Sequence, residues 1–520
     1  MSVLYWILGG FVAYWAVVFA LDQRGFFEKY NASLVGPGPL VMLRTLRGRE
    51  LVDRIAKPKK FWRIYGNIGV AAATIVMIAS FVLLLRIAHL SIFQTPEPSQ
   101  ITQPQNVLVI PGVNDFLPLS MAPEILLGLL IGIVVHEGGH GIFCRVGDME
   151  IDSMGAVMLA VIPFGAFVEP EEESVENASS SDRTRMFAAG VMNNFVLAIL
   201  SFLLIVAMLT AFVQPLDGVG VQNVADDSLA DGAVEQGERI LAVGGETVEN
   251  GGEFFEATET AAGTGSVTFT VTDGETTRDE TLSFDVQGVE VSNVISDTPA
   301  DEAGMEDGDV ITSVGGEPVT NVNDFSSAME GFSPGDEAVI EVQRDGETVP
   351  LDVTFGESPR FEGAFLGISY ITTAQQIGVT PYNIDYPYSL LTSLNPIDWA
   401  ISIYLPLGAI VGLTPFFGFD GFVLNFYEIT GPLALLGGAF WLIPNVLYWS
   451  AWVNFNLGLF NCIPALPLDG GHILKEGFKK ALSPVSEGES LEKLAGTMAG
   501  AVAVVMFGSM ILMIVAPRIL

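Results

Sequence analysis

The sequence predicts a polytopic α-helical membrane protein with two inserted extracytoplasmic domains, mainly β and α+β in character. Three observations carry this. Half of the 520 residues are hydrophobic, and the mean hydropathy of +0.47 is too high for a soluble chain of this length. Only 16% of residues are charged, yet the formal net charge is −37. The acidity is concentrated: residues 214–362 hold 34 Asp and Glu against four Arg, a net of −30. Apolar runs flank that segment on both sides. A chain both apolar and acidic places one part in a bilayer and another in water. The composition argues against a disordered chain, a collagen and a disulfide scaffold. The acidity argues against nucleic acid as a partner, because phosphate binding needs Lys and Arg. The two cysteines, Cys144 and Cys462, support no disulfide framework.

Runs of about 18 apolar residues or more are membrane-span candidates. In order they are residues 4–21, 68–85, 125–143, 186–213 and 400–417, then two segments within 431–468, then 495–516, about eight spans in all. The stretch 431–468 has no charge over 38 positions, and a break near Pro444-Asn445 divides it. The first run has no basic residue before it and no small-residue cleavage site after it, so it reads as an anchor with its N-terminus outside. Ten of the 23 basic residues lie between Arg24 and Arg63, which places that loop in the cytoplasm. Counting spans from there, residues 144–185 and 473–493 are also inside, and 214–385 are outside. The protein is thus expected in the cell membrane, against lipid, as a multi-pass chain.

The acidic segment repeats. Residues 218–250 read GVGVQNVADDSLADGAVEQGERILAVGGETVEN, and residues 288–321 read GVEVSNVISDTPADEAGMEDGDVITSVGGEPVTN. A period of about 70 residues fits two tandem small domains. Each copy has an apolar-alternating strand, an acidic turn, a Gly-Asp or Gly-Glu, a β-rich run and a Gly-Gly-Glu turn. A short helix and two further strands follow. Through Gly308-Asp309-Val310-Ile311 and Gly315-Gly316-Glu317-Pro318-Val319 the segment resembles PDZ domains of membrane and envelope proteases. That resemblance implies two PDZ-like domains with grooves that take an extracytoplasmic peptide as an added strand. A rigid spacer or steric filter is the alternative. The acidic surface itself suits a cell living at high salt.

The chemistry begins at His136-Glu137-Gly138-Gly139-His140, which closes an uncharged apolar run. On a helix, positions i and i+4 share a face. Two imidazoles there can bind one metal ion, and the Glu between them can take a proton from water at that metal. Ionisable groups in a span are costly and tend to be functional. A catalytic zinc needs a third protein ligand. Cys144, one turn further on, is one candidate. The other is Asp469, the first charge after the 38-residue uncharged stretch, in Asn461-Cys462-Ile463-Pro464-Ala465-Leu466-Pro467-Leu468-Asp469-Gly470-Gly471-His472. A lone carboxylate there wants a cation. Its prolines and glycines break the helix, which membrane depth tolerates only beside protein or a wet cavity.

The HExxH and NxxPxxPLDG segments together resemble the site-2 protease family of intramembrane zinc metalloproteases. Ala189-Gly190-Val191-Met192-Asn193-Asn194 is similar to the family's AGPxxN motif, with Val191 in place of proline. The resemblance covers residues 120–515. It implies one Zn2+ held by His136, His140 and Asp469, with Glu137 as general base. It places Asn461 and Asn194 near the site, assisting substrate or oxyanion. It also implies a re-entrant β-hairpin over residues 154–168, offering a strand edge to an unwinding substrate. His89 and His472 read as interfacial or structural.

The chain accordingly divides into five regions. Residues 1–121 form an N-terminal membrane region, 122–213 the first part of a protease core, 214–287 and 288–360 the two PDZ-like domains, and 361–520 the second part of the core. The expected function is zinc-dependent cleavage of transmembrane protein substrates. A non-catalytic scaffold that binds envelope peptides is the alternative. A zinc transporter would need more His, Asp and Glu within the spans.

Overall fold

A computed structural model describes residues 3–519, apart from 37, 46–47, 94–102, 108–109, 161, 227, 263–264, 284–287, 358–362 and 412–414. It divides into two units, Met1–Ala207 with Gly438–Leu520, and Met208–Gly437. The domain ends expected at 287 and 360 fall outside the described residues.

Among the described residues five helical segments are long and apolar enough to cross a membrane: Lys59–Phe93, Leu119–Val146, Ser180–Phe212, Gly431–Asn461 and Gly488–Ala516. The spans expected at 400–417 and as a second one within 431–468 are not among them, and the start of the first expected span, 4–21, lies outside the described side chains. The helix Val3–Asp22 forms where the first span was expected, but its described apolar part, Gly9–Asp22, is shorter. Residues 400–417 do not form a span. A helix at Pro396–Tyr404 gives way to a 3-10 turn at Leu405–Val411, where Pro406 removes a backbone donor. The Phe416 N–H then returns to the Leu405 carbonyl, and Ile403, Leu405 and Phe416 are buried in protein. Residues 431–461 form one segment long and apolar enough to cross, not two. The kink is at Gly437 (φ 51°, ψ −139°). Pro444 sits in the first turn of the helix Leu442–Asn461, where its missing N–H costs nothing.

In the first unit we label the helices α1 (Val3–Asp22), α2 (Arg49–Ala56), α3 (Lys59–Phe93), α4 (Ala122–Val146), α5 (Ser180–Phe212), α6 (Leu442–Asn461), α7 (Asp469–Leu482) and α8 (Gly488–Ile519). Helices α4 and α6 pack through small residues. A Cβ on Gly128 would lie 2.9 Å from Ser450 Cα, and one on Gly132 would strike the Asn454 amide. That amide donates to the Ser450 carbonyl at 2.8 Å and to the Gly128 carbonyl at 3.3 Å. Close backbones with a side-chain hydrogen bond are how helices associate without a hydrophobic drive.

The hairpin after α4 forms where it was expected, and it is wider. Strands β3 (Ile151–Leu159) and β4 (Ile162–Pro170) join β1 (Ala32–Leu34) and β2 (Val41–Thr45) in an antiparallel sheet of order β1-β2-β3-β4. The N-terminal loop supplies half of it. Charges of that loop also pair with the segment after α4: Arg49 with Glu150, Lys59 with Asp148 at 2.5 Å, and Asp53 with Arg145 at 2.6 Å.

Among its described residues the second unit holds two large sheets and two short two-stranded ones. The first runs β8-β7-β6-β5-β14, with β5 (Val219–Val224), β6 (Arg239–Val243), β7 (Ser266–Thr272), β8 (Thr277–Ser283) and β14 (Val379–Tyr382). The second runs β12-β11-β10-β9-β13, with β9 (Val289–Val294), β10 (Val310–Val314), β11 (Glu337–Arg344), β12 (Glu347–Thr354) and β13 (Ile368–Ile371). Inward residues of each sheet, Val219, Ile240 and Phe269 in one and Val291, Ile311 and Ile340 in the other, are fully buried. Each sheet takes a last strand from beyond residue 360. The pairing of β14 with β5 closes the first domain only after the second is complete, so the domains are nested and not tandem. Residues 361–437 belong with this unit rather than with the helices around Asp469.

The repeat also has a shared electrostatic bolt. Glu238 and Asp309, the carboxylates of the Gly-Glu and Gly-Asp turns, each accept a backbone N–H three residues upstream. Each is also gripped by an arginine from a later strand. Arg278 binds Glu238 at 2.6 and 3.0 Å, and Arg344 binds Asp309 at 2.7 and 2.6 Å. Burial pushes the Asp309 carboxyl up, but Arg344 and the Glu306 N–H outweigh it and hold the group below its usual range. Asp309 is 1% exposed, so removing its partner strands a buried charge. Arg344→Ala is expected to cost the second domain roughly 3 kcal/mol at neutral pH. A lowered folded pKa gives stability present above the unfolded value of about 3.9 and lost as pH falls through the folded value. The variant should therefore lose this acid-side dependence. Hydrogen exchange of β9 to β13 across pH in the intact protein checks it; unchanged exchange would remove the bolt.

Candidate metal centre

Helix α4 carries His136 and His140 one turn apart. Asp469 is the first residue of α7, where the positive end of the helix dipole favours a carboxylate. The loop before it turns sharply because Gly470 and Gly471 have no side chain. A Cβ on Gly470 would meet the Ile463 carbonyl at 2.5 Å, and one on Gly471 the Ala465 carbonyl carbon at 2.5 Å.

The three side chains converge. His136 Nε2 and His140 Nε2 are 3.2 Å apart, and Asp469 Oδ2 is 3.2 Å from the first and 3.6 Å from the second. His136 and Asp469 are 8% and 9% exposed. The Nδ1 of His140 donates to the Met186 carbonyl at 2.8 Å, which leaves its Nε2 as a lone pair. Asp469 Oδ2 is buried and forms no hydrogen bond. Buried lone pairs facing one another ask for a cation. A tetrahedral ion with bonds of about 2.0–2.2 Å separates its ligands by about 3.3–3.6 Å. The donor set and its spacing therefore fit zinc, and among the described residues this is the His/Cys/Asp/Glu group that could hold a metal.

Helix α5 closes the site from the side. A Cβ on Gly190 would stand 2.7 Å from the Nε2 of both histidines, so only glycine lets α5 approach this closely. Asn193 accepts from the Tyr65 hydroxyl at 2.7 Å and donates to the Val135 carbonyl at 2.9 Å, fixing the turn that carries His136. The Asn194 amide lies 3.0 Å from His136 Nδ1 and is fully buried. It meets the Nδ1 edge of the imidazole, whereas Nε2 is the nitrogen that faces Asp469. The Asn194 Oδ1 has no partner with the amide as placed. Turned over, the amide would accept the Nδ1 proton, which is the orientation a metal at Nε2 requires.

Glu137 accepts the Val168 N–H of β4 on its Oε2 at 3.1 Å. Asn461, the last residue of α6, donates to Leu457 one turn earlier at 3.1 Å. It makes no hydrogen bond to the histidines or Asp469 among the described residues. Cys144 is buried against Met186, Sγ to Sδ 3.4 Å, and stands outside the group. His472 stacks on Phe187 at 4.4 Å, and His89 on Phe93 at 4.6 Å. Tyr65, Gly190 as a spacer and the Val168 N–H were not expected. Only Gly190 had a sequence signal, inside the AGVMNN run.

A profile of Peptidase family M50 matches residues 124–507. Zinc metalloprotease RasP of Shouchella clausii is 32% identical over 216 residues, covering 39% of this chain and 47% of that protein. Regulator of sigma-E protease RseP of Escherichia coli is 26% identical over 428 residues, 70% of this chain and 91% of that protein. The chain thus spans about half the length of RasP and most of RseP. The solved PDZ domain of an SdrC-like protein from Listeria monocytogenes aligns at 21% identity over 17% of this chain and 94% of that one, with a TM-score of 0.16.

Proposed function

Because this chain belongs to Peptidase family M50, we propose that it is a zinc-dependent endopeptidase that cuts transmembrane segments of single-span membrane proteins. The observation that carries the reading is the meeting of His136, His140 and Asp469 at the end of an apolar span, with Glu137 next in sequence to His136 and held by the Val168 N–H.

A zinc ion held by these three side chains would supply an acidified water and a Lewis acid for the peptide carbonyl. Glu137 is anchored through one oxygen by the Val168 N–H. The other oxygen takes the proton of the attacking water and returns it to the leaving nitrogen. Asn194, with its amide turned over, would hold the Nδ1 proton of His136, and the Met186 carbonyl holds that of His140. A helical substrate hides its amides in hydrogen bonds, so it must unwind to be cut. Among the described residues β4 pairs with β3 alone, and its other edge can take the unwound segment as an added strand.

The basic residues between 24 and 63 support a cytoplasmic side for α4's end and the site, with the β domains outside. There they read a trimmed peptide end or exclude substrates with bulky exteriors. The RseP relative is named a regulator of sigma-E protease, which supports a regulatory role for the cleavage. Purified protein in detergent, given a tagged single-span protein, should release products whose ends map within the span, and a zinc chelator should stop it. Cleavage only outside the span, or indifference to the chelator, would overturn the reading. Asn194→Ala should weaken zinc binding by about 10–100-fold and leave the helices folded. Unaltered affinity in a competition titration would return Asn194 to helix packing.

A further inference from the structure

The family match begins at residue 124, yet strands β1 and β2 complete the sheet beside the site. Arg44 on β2 is their link to it. Across the sheet, Arg44 faces Gly155, which faces Phe167 on β4. With no side chain at Gly155, Arg44 reaches over β3. Its Nη2 and Nε bind the two oxygens of Glu169 on β4 at 2.9 and 3.1 Å. Its guanidinium lies 5.8 Å from the centre of the Phe167 ring. A Cβ at Gly155 would strike the Leu43 carbonyl and come within 3.0 Å of that ring. Ser153 donates to the same carboxylate. The Arg44 hydrogen bonds hold the Glu169 carboxyl below its usual range against the opposing effect of burial. At the hairpin tip, Tyr14 of α1 accepts the Ala160 N–H at 2.7 Å and donates to the Pro39 carbonyl at 2.9 Å. The residue before Glu169 is Val168, whose N–H holds Glu137.

We propose that Arg44 is a positioning residue of the peptidase site: through Glu169 it sets the height and register of β4. It thereby places both the amide that orients Glu137 and the edge on which substrate is aligned. A planar, two-point grip fixes a strand in a way a single ammonium does not. The role in cleavage rests on the peptidase reading; the hold on β4 does not.

The test compares wild type, Arg44→Ala, Arg44→Lys and the exchanged pair Arg44→Glu with Glu169→Arg. Amide exchange across residues 162–170 is read in metal-free protein, with residues 219–224 as a control for folding. Arg44→Ala should exchange at Val168 at least about tenfold faster, Arg44→Lys should remain impaired, and the exchanged pair should recover. Product ends from a single-span substrate are read by mass spectrometry. Arg44→Ala should lower kcat by about tenfold or more, move KM little, and spread cleavage to neighbouring bonds at unchanged zinc content. Unchanged exchange at Val168, or slower cleavage at one undisturbed bond, would overturn the proposal. A wild type that binds zinc and cuts nothing counts against the peptidase reading, and the exchange result still decides whether Arg44 holds β4.

Discussion

Glu137→Gln is expected to keep its zinc and lose cleavage by about 10²–10⁴-fold. The amide has the shape of the carboxylate and can still accept the Val168 N–H through its oxygen. It cannot take a proton. His136, His140 and Asp469 are untouched, so zinc content and folding should match wild type. Turnover of a tagged single-span substrate, with metal analysis of the same sample, checks both halves. A variant that cuts at the wild-type rate would place the base elsewhere. A variant without zinc would make Glu137 part of the metal's support.

Asp469→Ala is expected to lower zinc affinity by more than about 100-fold, since removing mere outer support already costs about 10–100-fold. Its effect on the metal-free protein has the opposite sense. Asp469 Oδ2 is buried without a hydrogen bond and faces two imidazole nitrogens. Removing an uncompensated buried acceptor costs little or stabilises. The metal-free variant should therefore unfold at the same temperature as metal-free wild type, or higher, while the rise on adding zinc disappears. A carboxylate that only held the start of α7 would behave differently, lowering the metal-free midpoint and leaving zinc binding intact.

The site was legible because its chemistry is local in sequence. Two histidines one turn apart, and a lone Asp after a long uncharged stretch, announce themselves by type and spacing. The groups that orient them do not. The Met186 carbonyl and Val168 N–H are backbone, and every residue has them. Asn194 was visible, but nothing in its run says that it meets the Nδ1 edge of His136. Asn461 was read by its motif, and its amide is spent on its own helix.

The fold was legible where a pattern closes on itself. The repeat showed both β domains, but β13 and β14 are four residues each, and their partners lie far back in the chain. Nothing local marks such pairing, so nesting was invisible. Apolar runs mark burial without saying whether lipid or protein covers them. That is why 400–417 passed for a span while Leu405 and Phe416 are buried in protein. The basic N-terminal loop read as a topology signal, whereas Arg44, Arg49 and Lys59 are also spent on Glu169, Glu150 and Asp148.

That one zinc ion among His136, His140 and Asp469 drives cleavage within the membrane is tested most directly by titrating zinc into metal-stripped wild-type protein while following cleavage of a single-span substrate. Activity should be absent at the start, rise in proportion to bound zinc and level off at one ion per chain. Full cleavage before any zinc is added, or a chain that fills with zinc and never cuts, would contradict it.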